Sequence, residues 1–466
     1  MNPEFQRNLW LEASPRRVAW AAVTIVLVLF AAIMVGRSGT HQAEILGGVG
    51  LAIFVACAVL WAGRLAGGAV LAEVAARTWD FQRLSALSAW QMTWGKLFGV
   101  TALAASAGLV GLLVYLAVGQ PPDAGWQIAL ALGVAVLVQA GSFMAALVAV
   151  RKARAEGRQA RTGGVLGGLF MGYLLLSGFI SSRAFSGGGA RNLLNLFGGS
   201  ADMIRWWSLP LPGDVFRALS VACFAGFALA GAWRLMRLEL QMRNEPVVWP
   251  LFLVFLAAWV AGLPQGAPGQ VSAWAGLSVA GLAMCLAAYA AAFVEPADRV
   301  TLRRFGRLVS GGDAAEAARI APAALFPLAF AAILTLASVG APDTGAVLRG
   351  SALGGTAHSG ALLAFLVRDL GVIALFRFGP RPQRGDFGAV VALALLYGVG
   401  GIIGSTSGGA AGAAVFLPTG GAFVGVSVLS ALAQAVVAWM LAVRRIRAPE
   451  SSVSAPPSGP ASAPVS

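Results

Sequence analysis

Two histidines and three cysteines in 466 residues leave this chain almost without soft metal ligands. His41 and His358 stand far apart in sequence, and Cys57, Cys223 and Cys285 each lie inside an apolar run. Neither a haem, zinc or copper set nor a disulfide framework can be drawn, and the cysteines read as small packing residues. Charge is scarce as well. Only 11% of residues are Asp, Glu, Lys or Arg, about half the share in soluble domains. A phosphate cradle of the form G-x-x-x-x-G-K-S/T is missing, since Gly95–Lys96 lacks the upstream glycine and is followed by Leu97. No G-x-S-x-G elbow, H-E-x-x-H or paired-carboxylate constellation occurs. Gly398-Val399-Gly400 meets Ile403 where a dinucleotide fingerprint needs glycine, and close helix packing by small residues explains it better. The expectation is a chain that is not an enzyme and holds no cofactor of its own.

What the chain has instead is apolar length. It is 58% hydrophobic with a mean hydropathy of +0.78, and its apolar runs are too many and too long for a soluble core. Unbroken runs, rather than alternation at period two, exclude a membrane barrel. The predicted fold class is all-α, a polytopic transmembrane helical bundle of about twelve spans in two six-span halves. The first six spans are Val18–Val35, Ile45–Gly63, Leu97–Val118, Trp126–Val150, Gly163–Ser181 and Val215–Trp233. The second six are Val247–Leu263, Ser272–Val294, Pro322–Val339, Gly350–Val367, Phe387–Gly404 and Ala422–Val443. Val18–Val35 is long enough to span and has no small-residue cleavage site, so it reads as a span and not as a signal peptide.

A net charge of +14 would suggest nucleic acid in a soluble protein, but here it sorts onto one membrane face. With both termini cytoplasmic, 27 of the 33 Lys and Arg residues fall on inner segments. The outer segments keep Arg37, Arg183, Arg191, Arg205, Arg217 and Arg349. Lys and Arg resist translocation, so the expected location is a multi-pass position in a cell membrane of the bacterial inner-membrane kind, with the bilayer and not nucleic acid as partner.

Between the second and third spans lies Ala72–Lys96, AEVAARTWDFQRLSALSAWQMTWGK. At helical period Val74, Phe81, Leu84 and Ser88 share one side. Glu73 with Arg77 and Asp80 with Arg83 form i,i+4 and i,i+3 pairs on the other. Trp79, Trp90 and Trp94 are the aromatics expected at a bilayer–water boundary. The pattern predicts an amphipathic helix lying on the membrane. It either anchors its neighbours or receives a push from a soluble partner.

The order Glu73, Arg77–Thr78, Leu84, Leu87–Ser88, Gly95–Lys96 resembles the cytoplasmic coupling segment of type-2 ABC exporter permeases. Asn2–Glu12, NPEFQRNLWLE, resembles their short N-terminal interfacial helix. The likeness covers roughly residues 1–245. It departs at Arg77, where the family has Gly before the Thr, and at Ala89, where Pro follows the Leu-Ser pair. The resemblance implies a permease subunit whose ATP is bound by a separately encoded P-loop ATPase. It assigns docking and transmission to Glu73, Arg77, Thr78, Trp79, Asp80, Arg83, Gly95 and Lys96. The implied cargo is an exported lipid, glycan, drug-like compound or peptide, without a choice among them.

Asn244–Glu245–Pro246 divides the spans into 1–245 and 246–447. The charged loop Glu295–Ala321 sits in the second half where the coupling stretch sits in the first, as a degenerate repeat would place it. A duplicated chain would work as one copy, and an unduplicated one as a homodimer. Ser182–Asp214, with Trp206, Trp207 and the turn Leu209–Gly213, reads as re-entrant or interfacial. Ser405–Gly421 reads as a flexible Gly/Ser/Thr loop, and 448–466 as a disordered Ala/Pro/Ser tail. The nearest approach to a charge inside the hydrocarbon is Arg368–Asp369, at the inner end of the tenth span. It is read either as an edge pair whose Arg368 reaches the headgroups or, with His358, as part of a pathway. An ion-coupled secondary transporter, a polytopic lipid-modifying enzyme and a non-transporting scaffold therefore stand beside the ATP-driven permease.

Overall fold

A computed structural model describes residues 2–36, 42–83, 85, 87–120, 123–155, 203–243, 245–263, 273–296, 298–338, 359–379, 384–419 and 421–448. The chain is an all-α polytopic membrane protein, and nine of its described helices are long and apolar enough to cross a bilayer. A bent pair, Ala314–Ile320 with Leu325–Ser338, would make a tenth. The expected fifth span, Gly163–Ser181, and His358 lie outside the described residues, as does the tail beyond 448. The expected seventh and ninth spans form shorter helices, Val248–Ala261 and Leu325–Ser338, of 14 residues each. At 1.5 Å per residue either is about 21 Å long, well short of the ~30 Å hydrocarbon layer.

The chain folds as two compact units, Met1–Pro296 with Ala318–Leu363, and Ala297–Ala317 with Ala364–Ser466. They are cut differently from the two six-span stretches. In chain order the first unit contains α1 (Pro3–Glu12), α2 (Pro15–Gly36), α3 (Gln42–Phe54), α4 (Ala62–Ala75), α5 (Trp79–Arg83), α6 (Ala89–Gly119) and α7 (Ala124–Ala155). A hairpin of β1 (Met203–Trp206) and β2 (Leu209–Pro212) leads into α8 (Gly213–Glu239), then α9 (Val248–Ala261) and α10 (Ala273–Val294). The second unit is built on α11 (Arg299–Ser310), most of α12 (Ala314–Ile320), the larger part of α14 (Ser359–Arg377), α15 (Gly385–Ala413) and α16 (Val424–Arg447). Between α12 and α14, α13 (Leu325–Ser338) belongs to the first unit.

Lipid tails are as apolar as leucine, so helices in a bilayer associate by close packing and not by burial of grease. The core reflects this. Small residues such as Ala58, Ala62, Ala66, Ala104, Ala140 and Ala146 are buried in it. A Cβ placed on Gly50 would sit 2.7 Å from the carbonyl oxygen of Gly111, so α3 and α6 touch backbone to backbone. On α2 the large side chains are turned outward: Trp20, Val26 and Leu27 are exposed along its length. A seven-residue π-helical segment, Val55–Trp61, joins α3 to α4. The i→i+5 register leaves carbonyls off the usual ladder. Gln139 of α7 meets one of them, donating from Nε2 to the Ala58 oxygen at 2.9 Å.

Two stretches between the expected spans carry regular structure. The Trp206/Trp207 segment is an antiparallel hairpin pairing Trp206 with Leu209. Its two turn residues, Trp207 and Ser208, both have positive φ, the backbone that matches strand twist in a two-residue turn. Trp206 and Trp207 donate their indole N–H groups to the oxygens of Trp259 and Ala258 at 3.0 and 2.8 Å, so they pin α9. In the stretch read as a flexible loop, α15 runs on to Ala413. Ser405, Thr406 and Ser407 bond back to carbonyls of Ile402 and Ile403 within their own helix, which satisfies their hydroxyls without a loop. Gly409, at φ 58 and ψ −139, supplies the kink.

Candidate functional site

The stretch Ala72–Lys96 is not one surface helix. The α4 helix ends at Ala75, and the chain reverses in a C-terminal cap in which Arg77 takes a left-handed φ of 58. Arg77 N–H bonds the Val74 oxygen at 3.2 Å and Thr78 N–H the Glu73 oxygen at 3.0 Å. This is the paired pattern that closes a helix and usually recruits glycine. A single turn of helix, α5, follows, and α6 then starts at a capping box. Ser88 Oγ accepts from Gln91 N–H at 3.2 Å while Gln91 Oε1 accepts from Ser88 N–H at 3.0 Å.

Breaking the helix resets the phase of every side chain after Ala75. Trp79, expected as a membrane anchor, is 2% exposed and packs in the core with Val70, Leu71, Met92 and Phe143. Phe81, expected on the apolar side, is 78% exposed. Trp90 and Trp94 do stay partly exposed on the first turns of α6, their ring centroids 5.9 Å apart and their planes tilted by 35°. Of the two expected ion pairs, Asp80–Arg83 is present at 3.5 Å. Glu73, however, turns to other cations.

Those cations are Lys96 and Arg7. Lys96 has no solvent exposure, and its ammonium reaches Glu4 Oε1 at 2.8 Å, Glu73 Oε2 at 2.5 Å and Gln82 Oε1 at 2.6 Å. An ammonium has three donors, and all three are used. The Trp79 ring lies 5.3 Å from the same nitrogen. Arg7 closes the set, donating to Glu4 Oε1 at 2.9 Å and Glu73 Oε1 at 2.6 Å. Two carboxylates thus face two cations, and a buried charge is tolerable only when so paired.

The N-terminal helix is part of this site. Asn2 caps it, Oδ1 accepting from Glu4 N–H at 3.0 Å, and its amide donates to the Gln91 oxygen of α6 at 2.6 Å. Asn8 donates to the Gly95 oxygen at 3.4 Å. Glycine at 95 and 99 lets α1 lie against the α6 backbone, because a Cβ there would stand 2.7 Å from Glu4 Cβ and 2.9 Å from Asn8 Cβ. We expect Gly95→Val to lift α1 off α6 and expose its amides. Faster hydrogen exchange over residues 3–12 would register the change, and unchanged exchange would contradict the packing. The sequence pointed to Glu73 and Lys96 but not to Glu4, Arg7, Asn8 or Gln82. Glu4, Arg7 and Asn8 recur at i, i+3 and i+4 on one face of a short helix, and that was the available signal.

A second buried polar cluster lies in the second unit. Arg368 and Asp369 sit in the middle of α14, 1% and 0% exposed. The pair is therefore not at a span end, and Arg368 does not reach headgroups. The helix continues through the apolar run Leu370–Phe376 for two more turns. Arg368 Nε donates to Asp369 Oδ1 at 2.7 Å and Nη1 to Gln434 Oε1 of α16 at 3.1 Å. Tyr397 of α15 donates its hydroxyl to Asp369 Oδ2 at 2.6 Å. The guanidinium also lies over the Phe365 and Tyr397 rings, 4.3 and 4.7 Å from their centroids. Arg368 Nη2 has no hydrogen-bond partner among the described residues. Tyr397 and Gln434 escaped the sequence reading, although each is a lone polar group in an apolar run.

The chain matches no protein-family model, no curated protein and no solved structure. Among the described residues no group of His, Cys, Asp and Glu is placed to hold a metal ion.

Proposed function

We propose that this chain is the membrane permease subunit of an ATP-driven ABC exporter, working with a separately encoded P-loop ATPase that binds the ATP. The observation that carries the reading is the buried Lys96 cluster. It welds α1, the Glu73 turn, α5 and the long α6 into one rigid body. Arg77, Thr78, Asp80 and Phe81 stand exposed on that body's outer side. A partner that docks more tightly in one transporter state than in another shifts the equilibrium between states. A rigid element fastened to a spanning helix carries that difference into the membrane. On this reading the docking ridge and both termini face the cytoplasm of a bacterial inner membrane.

The test uses Arg77 in two ways. Copurified ATPase should hydrolyse faster with this subunit than without it, and Glu73→Ala with Arg77→Ala should abolish the stimulation while leaving membrane insertion intact. Arg77→Gly separates docking from folding, because glycine relieves the left-handed backbone and should stabilise the turn by about 1 kcal/mol. A more stable protein with weakened stimulation supports the reading. Unchanged stimulation in both variants defeats it.

One observation favours a second reading, an ion-coupled transporter. A carboxylate in mid-span, paired with arginine and touched by a tyrosine hydroxyl, is the kind of group that lines ion and proton paths. Asp369→Asn separates the two readings. Transport lost while ATPase stimulation persists points to ion coupling, and transport retained points away from it.

A further inference from the structure

We infer that the second unit binds an anionic diacyl phospholipid at the basic end of α16, with α11 beside it as a headgroup clamp. The inference does not rest on the exporter reading.

The acyl half of the site is a shallow groove along α16. Its lining is Val436, Trp439, Met440 and Val443, and Arg444 closes one end. These positions fall at i, i+3, i+4, i+7 and i+8, a single stripe of helix that is apolar until its last residue. Val436 and Met440 are more than half exposed. Trp439 forms the floor, its ring against Gly371 and its indole N–H on the Val367 oxygen at 2.9 Å. A groove that changes from apolar to cationic at the end of a spanning helix has the polarity of a phospholipid, tail first and phosphate last.

The headgroup half comes from α11. Asp298 caps this helix, its Oδ1 accepting from Val300 N–H at 2.8 Å, and none of the helix's residues is buried. At helical period Arg299, Arg303 and Arg307 run down one side, while Leu302, Phe305 and Val309 share another. Two of the arginines already have work in the fold. Arg303 donates to the oxygens of Ile446 and Ala448, and Arg299 to that of Phe378. They satisfy carbonyls that helix ends leave without partners. The Arg303 bonds lay α11 against the last turn of α16, where Arg444 and Arg447 are exposed. Arg307, one turn beyond Arg303 on the same side, is exposed as well. The exposed apolar residues Val300 and Val309 sit at the level of two helix ends, where the boundary between headgroups and acyl chains covers such side chains. A docking site for a soluble protein would explain the arginines but not the apolar groove that runs away from them.

The test is retention of lipid by the full-length protein in mild detergent, read by native mass spectrometry with dioleoyl phosphatidylglycerol, dioleoyl phosphatidylcholine and glycerol 3-phosphate as probes. We expect one phosphatidylglycerol retained at least tenfold more tightly than phosphatidylcholine, and no retention of glycerol 3-phosphate. Arg307→Gln with Arg444→Gln should weaken phosphatidylglycerol by about thirtyfold, the effect of two charges near an anionic surface. Neither side chain takes part in a hydrogen bond or ion pair among the described residues, and size-exclusion elution of the variant checks that it stays intact. Val436→Trp, which fills the groove without touching charge, should weaken both lipids alike. Equal retention of the two lipids, or full retention by the arginine variant, overturns the site. Competition by glycerol 3-phosphate would assign the arginines to a soluble phosphate instead. Loss of a copurifying ATPase with lipid retention unchanged would assign them to protein docking, and either outcome also overturns the proposal.

Discussion

Lys96→Met should destabilise the first unit by about 3–5 kcal/mol, because it leaves the buried Glu4 carboxylate and the half-buried Glu73 carboxylate without their shared cation. Glu4 and Glu73 both bond the ammonium, and Arg7 alone would remain to neutralise them. The number is large for one side chain because Lys96 has no exposure to water, so little solvent can enter to replace it. The effect is specific to charge and not to volume. Adding Glu73→Gln in the same background removes one of the two stranded carboxylates, leaving Glu4 with Arg7, and should recover a good part of the loss. Equilibrium unfolding in bicelles measures both variants. Equal stability of Lys96→Met and the parent would show that the cluster holds nothing together. A second readout addresses function: α1 amides should exchange faster in Lys96→Met, since α1 depends on this residue through Glu4.

The second large effect concerns Arg368 and Asp369. Arg368→Leu should cost about 3–5 kcal/mol, because it leaves the buried Asp369 carboxylate, which Tyr397 also touches, without its cation. The double change Arg368→Leu with Asp369→Leu should behave otherwise. Replacing a buried pair by apolar residues of similar volume is often neutral or stabilising, so stability should return to the parental value or above. That contrast asks why the pair is there. If the double variant is stable and transports normally, the pair only fixes how α14, α15 and α16 meet. If it is stable and dead, the pair acts in transport. A double variant as unstable as the single one would show that Tyr397 and Gln434 need the charges in order to pack.

Both clusters show where reading from the chain stopped. Glu73 and Lys96 stand out by their places in a motif, yet a single helix through the stretch pairs Glu73 with Arg77. The left-handed turn at Arg77 ends that helix two residues after Glu73, at Ala75. Nothing in local propensity announced it, since the residue there is arginine and not the glycine that such a turn favours. Trp79 and Phe81 exchanged their expected environments for the same reason. At Arg368 the error was one of length. The first charge marks the end of an apolar run, but an arginine and an aspartate that neutralise each other do not end a helix whose next two turns are apolar.

The membrane class, the all-helical architecture and the approximate places of most described spans were decided by the sequence itself. Those properties depend on sums over twenty or so residues against a solvent of known thickness, and single errors do not change a sum. Which charges meet was decided only by the tertiary structure. Lys96 finds Glu4 from 92 residues away, and Arg368 finds Gln434 from 66. A buried ion pair depends on ångström distances between segments that no local period relates, so its partners exist only once the helices have packed.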